Sequence, residues 1–151
     1  MSDKFYQTIA DKFIFKVKKG LQYTEDGTWL KVENENIRVG VSDFFQSRGG
    51  DIVYLELPGV GDKVKRQEEI IKIETIKAVL TIKSPIDGTI IKINSLLNDK
   101  PELVNEDPYE KGWLILVSPS NLKEDMGLLS ADKYFKFMNS KITNDLKKAG
   151  K

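Results

Sequence analysis

One lysine in this chain, Lys77, stands in a pattern that would suit covalent modification of its amine. It lies in the string Glu74-Thr75-Ile76-Lys77-Ala78, between two stretches in which apolar and polar residues alternate. Alternation at period two on both sides of a very short break is typical of a β-hairpin. We therefore predict that Lys77 lies at the hairpin tip, exposed to water, with a carboxylate three residues before it. An ordinary solvated lysine is the common alternative at such a position.

The lysine hairpin is one of several predicted strand pairs. Residues 30–41 alternate around a turn at Asn34-Glu35, and the stretch before Pro58-Gly59 alternates in the same way. Residues 113–117 are continuously apolar, which is typical of a strand buried on both faces. Many short strands with closely spaced turns favour an all-β sandwich or barrel. The residues predicted to face its core are Leu30, Val32, Ile37, Val39, Val41, Val53, Leu55 and Leu57.

Besides a short helix that Ser120 would cap after Pro119, two helices are predicted from their capping residues. Ser42 precedes a short stretch that ends at Gly49-Gly50, and Ser130 precedes a longer amphipathic stretch. The apolar side of the second helix would carry Tyr134, Phe135, Met138 and Ile142.

The chain is predicted to hold one domain with an extension at each end. Its 151 residues suffice for one core and are too few to expect two. Near the N-terminus Phe5, Ile9 and Phe13 recur every four residues, which predicts a short amphipathic helix. We expect the main domain to close without this helix. The predicted division is 1–20 for the N-terminal extension, 21–143 for the domain and 144–151 for a polar C-terminal tail.

The composition argues against several classes of function. Lysine and arginine number 24 against 23 aspartates and glutamates, so no strong charge favours nucleic acid. No apolar run approaches the ~18 residues that a membrane span needs. The chain has no histidine and no cysteine, which removes the commonest general base, thiolate nucleophiles and the usual zinc ligands. No catalytic motif of recognised spacing occurs, so we predict a protein that is not an enzyme and has no metal site.

Sequence motifs follow one another in a fixed order on both sides of the lysine hairpin. They are Tyr23-Thr24, Trp29, Val39-Gly40-Val41-Ser42-Asp43, the stretch 50–58, Ser84-Pro85-Ile86-Asp87-Gly88-Thr89, the stretch 101–109 and Gly112-Trp113-Leu114. In order and spacing this set resembles the glycine cleavage H-protein family over about residues 21–140. The resemblance implies a mostly β fold, a flattened lipoyl/biotinyl-type β-barrel sandwich with short flanking helices at both ends.

The resemblance also implies a cofactor and partners. Lys77 would carry lipoic acid in amide linkage, and Glu74 and Ala78 would help a lipoate ligase or lipoyl transferase to select it. The lipoyl arm would accept the aminomethyl group of glycine at a pyridoxal-phosphate glycine decarboxylase and deliver it to an aminomethyltransferase. A dihydrolipoyl dehydrogenase would then reoxidise the arm. The implied setting is the cytoplasm of a prokaryote.

The chain departs from the family pattern at four positions. Gly27 stands where the family has a histidine, and Thr28 stands where an acidic residue often follows. Gln67 and Glu110 stand where the family tends to have glycine. These changes leave open an H-like lipoyl carrier of another pathway, either sulfur oxidation with heterodisulfide-reductase-like complexes or a relay of lipoate. An unmodified interaction module is the remaining alternative.

Overall fold

The computed structural model describes residues 4–10, 13–121 and 127–149. The strands are β1 (Phe5–Ala10), β2 (Phe13–Lys18), β3 (Gln22–Tyr23), β4 (Thr28–Glu33), β5 (Asn36–Val41), β6 (Ile52–Glu56), β7 (Lys63–Val64), β8 (Glu69–Thr75), β9 (Val79–Lys83), β10 (Gly88–Ile93), β11 (Ile115–Pro119) and β12 (Leu129–Ser130). The helices are α1 (Asp43–Gly49), α2 (Leu103–Glu106) and α3 (Ala131–Ala149), and a short 3₁₀ helix spans Ser95–Asn98.

The main strands form two antiparallel sheets that pack as a sandwich. One sheet has the order β12-β3-β4-β5-β11-β10-β7, and the other has the order β6-β8-β9. Both sheets contribute to one aliphatic core, for example through Val39 and Ile115 from the larger sheet and Ile73 from the smaller. The predicted mostly β fold class is confirmed. The architecture is a sandwich, because the described strands form separate sheets that do not close into a barrel.

Two of the predicted core residues face solvent. Val32 is 59% exposed near the end of β4, and Val53 is 56% exposed in β6. Val53 lies at a register shift between Ile52 and Tyr54, where β6 pairs with β8. A bulge of this kind interrupts the alternation of side chains, so Ile52 and Leu55 are buried and Val53 is not.

The N-terminal extension is a β-hairpin, and the predicted helix is wrong. β1 and β2 pair with each other along their whole length. A spacing of four residues is also a multiple of two, so Phe5, Ile9 and Phe13 fit a strand as well as a helix. Phe15 and Val17 of β2 are 8% and 0% exposed. The extension is therefore part of the core.

A second apolar cluster lies under this hairpin. At its centre Trp29 is 1% exposed, and its indole N–H donates to the carbonyl of Pro108 at 3.0 Å. A Cβ on Gly40 would overlap the indole ring, so glycine permits the close approach. The buried members of the cluster are Phe15, Val17, Leu21, Tyr23, Trp29, Phe44, Tyr109, Ala131, Tyr134, Met138 and Ile142.

The helices predicted after Ser42 and Ser130 begin at their predicted caps, whereas the short helix predicted after Ser120 falls on residues that lie mostly outside the described part of the chain. Ser42 Oγ accepts from the N–H of Phe45 at 3.2 Å at the start of α1. Ser130 Oγ accepts from the N–H of Lys133 at 3.3 Å at the start of α3. The backbone of α3 continues to Ala149, into the segment predicted as a polar tail. None of the described helices combines the length and the apolar character needed to cross a membrane.

Candidate functional site

Lys77 lies in the bend between β8 and β9, and it is exposed as predicted. The bend lacks Asn-Gly, and the side chain of Thr75 supplies the missing turn chemistry. Thr75 Oγ1 accepts from the N–H groups of Lys77 and Ala78 at 3.1 and 3.0 Å. The N–H of Thr75 donates to the carbonyl of Ala78 at 2.9 Å. Hydrogen bonds from a threonine to its own turn hold the backbone in one shape.

The lysine turn is fastened to the segment between α1 and β6. The N–H of Ile76 donates to the carbonyl of Asp51 at 3.0 Å. The methylenes of Lys77 lie over Gly50, where a Cβ would be 3.1 Å from Lys77 Cδ. Gly50 has φ +90°, which residues with a side chain rarely adopt. Glycine at this position therefore permits both the positive φ of the backbone and the close approach of the Lys77 side chain.

Asn105, which the sequence reasoning missed, fixes the shape of this segment. Its Oδ1 accepts from the N–H of Ile52 at 2.9 Å. Its Nδ2 donates to the carbonyl of Gly50 at 3.0 Å and to Gln46 Oε1 at 3.1 Å. One amide therefore links the end of α1 to the start of β6. Nothing in the sequence around Asn105 signals these partners, which are more than 50 residues away.

Glu74 and Ala78 lie on either side of the lysine, at the end of β8 and in the bend before β9. Glu74 Oε1 lies 3.7 Å from Lys72 Nζ, and this partly exposed ion pair is weak. Across the smaller sheet Glu74 stands between Tyr54 on β6 and Val79 on β9. Those neighbours are 51% and 60% exposed, so the lysine lies beside an exposed surface that is partly apolar.

A cleft of about 270 Å³ opens next to the turn. α1 and α3 both contribute to its lining, and Leu80 of β9 packs against Gly49, with Cδ1 2.9 Å from where a Cβ would lie. The lining residues are Glu25, Asp26, Phe44, Phe45, Arg48, Gly49, Leu80, Tyr134, Phe137, Met138 and Lys141. The charged members are all exposed, whereas several of the aromatic and aliphatic members are buried. This lining suits an apolar group that enters from solvent.

Tyr134 links the cleft to the second apolar cluster. Its hydroxyl is hydrogen-bonded to Ser42 Oγ at 2.9 Å, and its ring stacks on Tyr23 with centroids 4.5 Å apart. Burial raises the pKa of Tyr134 to about 12 and raises the pKa of Tyr23 as well. Both phenols therefore stay neutral near pH 7, and Tyr134 lines the cleft without adding charge.

Gly27, which stands in place of the family histidine, is tightly enclosed. It has φ +95°, and its N–H donates to the carbonyl of Thr24 at 3.1 Å. A Cβ at this position would lie 3.2 Å from Phe45 Cβ and 3.3 Å from both Ser42 Oγ and the hydroxyl of Tyr134. A histidine would therefore require both a strained backbone and a shift of the packed side chains around it.

The other departures from the family pattern have visible settings. Thr28 is 2% exposed and lines a smaller pocket of about 180 Å³. Gln67 has φ +74°, a region that favours glycine, and its N–H donates to the carbonyl of Ser84 at 2.8 Å. Glu110 forms an ion pair with Lys18 of β2, and the hydrogen bond from Lys18 lowers the pKa of the Glu110 carboxyl. Glu110 thus contacts the N-terminal hairpin.

Comparison with known proteins places the chain in one family. The family model described as Glycine cleavage H-protein matches residues 21–141. The glycine cleavage system H protein of Geobacillus kaustophilus (strain HTA426) is 46% identical over 121 residues, which are 80% of this chain and 95% of that protein. The one from Bacillus subtilis (strain 168) is 44% identical over 118 residues, which are 78% of this chain and 93% of that protein.

A solved structure agrees with these sequence matches. The crystal structure of a glycine cleavage system H protein from Mycobacterium marinum matches with a TM-score of 0.70 and 31% identity, over 77% of this chain and 94% of that chain. The shared fold is a β-sandwich of the lipoyl/biotinyl carrier class. This chain belongs to the glycine cleavage H-protein family, which confirms the resemblance seen in the sequence. The N-terminal hairpin precedes the matched region.

Proposed function

We propose that this chain is the lipoyl carrier of the glycine cleavage system, with lipoic acid attached to Lys77. The observation that carries the proposal is a single exposed lysine on a hydrogen-bonded turn beside an apolar cleft, in a chain of the H-protein family. A lipoyl group, when attached, supplies a reactive disulfide at the end of a flexible arm. Everything else that the carrier contributes comes from its own residues.

The residues around Lys77 fit such an arm. The lysine methylenes lie over Gly50, and the preceding residue, Gly49, already lines the cleft. The interior of the cleft is aromatic and aliphatic, so it can take methylenes and a small ring out of water. Its charged rim stays solvated. Thr75 and the carbonyl of Asp51 hold the turn, so that an approaching enzyme meets the amine in one place.

The carrier role follows from tethering rather than from catalytic groups on this chain. An arm on a short tether presents its end to a docked enzyme at an effective concentration on the order of millimolar. The partners would be a glycine decarboxylase, an aminomethyltransferase and a dihydrolipoyl dehydrogenase, after a lipoate ligase or lipoyl transferase has attached the arm. We place the protein in the cytoplasm of a prokaryote, consistent with the bacterial sources of its relatives.

Intact-mass measurement tests the attachment site. Protein produced with lipoate and a lipoate ligase is expected to carry one lipoyl group, and peptide mapping should place it on Lys77. The Lys77→Arg variant should fold normally but remain unmodified, because an exposed turn residue contributes little to stability. Lys72→Arg and Lys83→Arg are matched controls on the flanking strands and should be modified fully. Lipoyl on the Lys77→Arg variant would refute the assignment.

A second measurement tests the roles of Glu74 and Ala78 in recognition. Glu74→Gln and Ala78→Leu should slow lipoylation by the ligase and leave thermal unfolding unchanged. Glu69→Gln, at the other end of β8, is the control for Glu74→Gln. Lipoylation of both turn variants at the parent's rate would mean that Glu74 is only a solvated strand-end charge and that Ala78 is not read by the enzyme.

The pathway is tested with lipoylated protein, carboxyl-labelled glycine and purified glycine decarboxylase. Release of labelled carbon dioxide should require both the decarboxylase and lipoyl on Lys77. If dihydrolipoyl dehydrogenase acts on the arm but no carbon dioxide is released, the attachment site stands and the pathway assignment fails. The H-like carrier of another pathway then becomes the better interpretation.

A further inference from the structure

The N-terminal hairpin lies outside the region shared with the family, yet it packs behind the cleft. The family match begins at residue 21, whereas β1 and β2 precede it. One face of the hairpin is buried through Phe15 and Val17. On the opposite face Ile9 and Ile14 form a cross-strand pair and are 69% and 52% exposed. The buried face packs against the domain. Substitutions on the exposed face therefore serve as controls for substitutions on the buried face.

The hairpin contacts α1, which forms one wall of the cleft. The N–H of Lys16 donates to Asp43 Oδ2 at 2.9 Å, at the first residue of the helix. The ring of Phe15 meets the ring of Phe44 edge-on, with centroids 5.4 Å apart. Phe44 also lines the cleft. The position of this wall therefore depends on a side chain of β2.

The same hairpin contacts α3, which forms the other wall. Tyr6 of β1 stacks on Phe135, with ring centroids 5.3 Å apart and planes 27° from parallel. Lys19 Nζ lies 4.5 Å from the centroid of the Tyr6 ring on this hairpin. The neighbouring helix positions Tyr134 and Met138 line the cleft and belong to the buried cluster that includes the hairpin.

From these contacts we infer that the N-terminal hairpin is a brace that sets the separation of α1 and α3 and so determines how tightly the cleft holds the arm of Lys77. Tyr6 and Phe15 are the positioning residues, since each touches a wall and neither lines the cleft itself. The inference rests on the proposed function, because the arm is the lipoyl arm. It gives a role to the N-terminal extension, which precedes the residues that match the family model.

Amide hydrogen exchange on the unmodified full-length protein tests the brace without the arm. Tyr6→Ala should speed exchange in α3, and Phe15→Leu should speed exchange in α1, while both proteins keep cooperative thermal unfolding. Phe15→Leu is chosen because it keeps most of the buried apolar volume. Ile9→Ala and Ile14→Ala are the controls and should leave both helices at the parent's exchange rate. Unchanged exchange in the cleft walls of both test variants would overturn the brace.

Alkylation of the reduced arm tests the consequence for the cleft. The chain has no cysteine, so after reduction of the lipoylated protein the thiols of the arm alone react with iodoacetamide. We expect Tyr6→Ala to raise the alkylation rate by about threefold, the scale of one lost aromatic pair, toward the rate of free dihydrolipoamide. Ile9→Ala should react like the parent. A rate equal to the parent's in Tyr6→Ala, or an equal rise in Ile9→Ala, would overturn the inference.

The two experiments separate this inference from the proposed function. Absence of lipoyl on Lys77 overturns the proposed function and, with it, the role of the brace toward the arm. Unchanged hydrogen exchange overturns the brace even when Lys77 is fully lipoylated. Faster exchange together with faster alkylation supports both.

Discussion

Replacing Asn105 by alanine is expected to loosen the segment under the lysine turn. The substitution removes three hydrogen bonds, to the N–H of Ile52, the carbonyl of Gly50 and Gln46 Oε1. Each is worth about 0.5–1.5 kcal/mol, and water replaces part of that at a half-buried site. We therefore expect the free energy of unfolding to fall by about 2 kcal/mol. Lipoylation of Lys77 should also slow, because the carbonyl of Asp51 that holds the turn belongs to this segment.

Urea unfolding, hydrogen exchange of the Ile76 amide and the rate of lipoylation measure the three effects separately. Asn105→Asp keeps the acceptor for the N–H of Ile52 and loses the two donated bonds, so its free energy of unfolding should be lower than the parent's. Asn98→Ala, at an exposed position, is the control. An Asn105→Ala protein with the parent's stability and the parent's Ile76 exchange would refute the reasoning. Lower stability with unchanged lipoylation would refute the link to the turn.

Three further changes have definite expected outcomes. Gln67→Gly should stabilise the protein by about 1 kcal/mol and raise its Tm by about 2–4 °C, because the backbone at this position has φ +74°; a lower Tm would contradict this. Deleting residues 1–20 should lower the free energy of unfolding by at least about 3 kcal/mol, because it removes the buried side chains of Phe15 and Val17. A truncated domain with the parent's urea midpoint would show that the hairpin is dispensable. The hydrogen bonds from Arg38 hold the pKa of the Glu33 carboxyl below its ordinary value of 4.5, so the stability from this pair is full above pH 4.5 and is lost as pH falls through the lower folded value. Glu33→Gln should remove that part of the acid dependence, within about 1 kcal/mol, and an unchanged acid limb in pH-dependent unfolding would exclude the pair as its source.

The features that the sequence predicted correctly depend on local signals. The lysine hairpin follows from alternation on both sides of residues 75–78, and the two helix starts follow from Ser42 and Ser130. Each of these signals and its structural effect lie within a few residues of one another. Local chemistry of this kind can be read from one chain.

The features that it missed depend on residues far apart in the chain. Asn105 reaches across to Ile52, and the cleft joins α1 to α3, which no local pattern can reveal. The bulge at Val53 breaks an alternation that otherwise predicted an inward side chain. The prediction of an N-terminal helix was wrong because a four-residue spacing fits the period of a strand as well as that of a helix. The contacts that decide between the two are made with Phe44 and α3, far along the chain.

Gly27 shows why a substitution that the sequence suggests is not always a clean experiment. Restoring the family histidine looks like a direct test of how the cleft treats its cargo. In the structure, however, a side chain at this position meets Phe45, Ser42 and Tyr134 at 3.2–3.3 Å from a left-handed backbone. A Gly27→His protein would report packing strain together with any effect of the imidazole. Changes at the exposed Asp26 or Lys141 probe the same cleft without that strain.

The seven-residue helix α1 is contacted from two directions, by the hairpin at Asp43 and Phe44 and by the lysine turn near Gly50. Thermodynamic linkage requires that any coupling between two such sites be reciprocal. If the packed hairpin favours docking of the arm in the cleft, then docking of the arm must favour the packed state of the hairpin by the same free energy. Local opening of the N-terminal strands would then report whether the arm lies in the cleft. The strands would open less often when the arm is docked and more often when an enzyme has bound the arm outside the cleft.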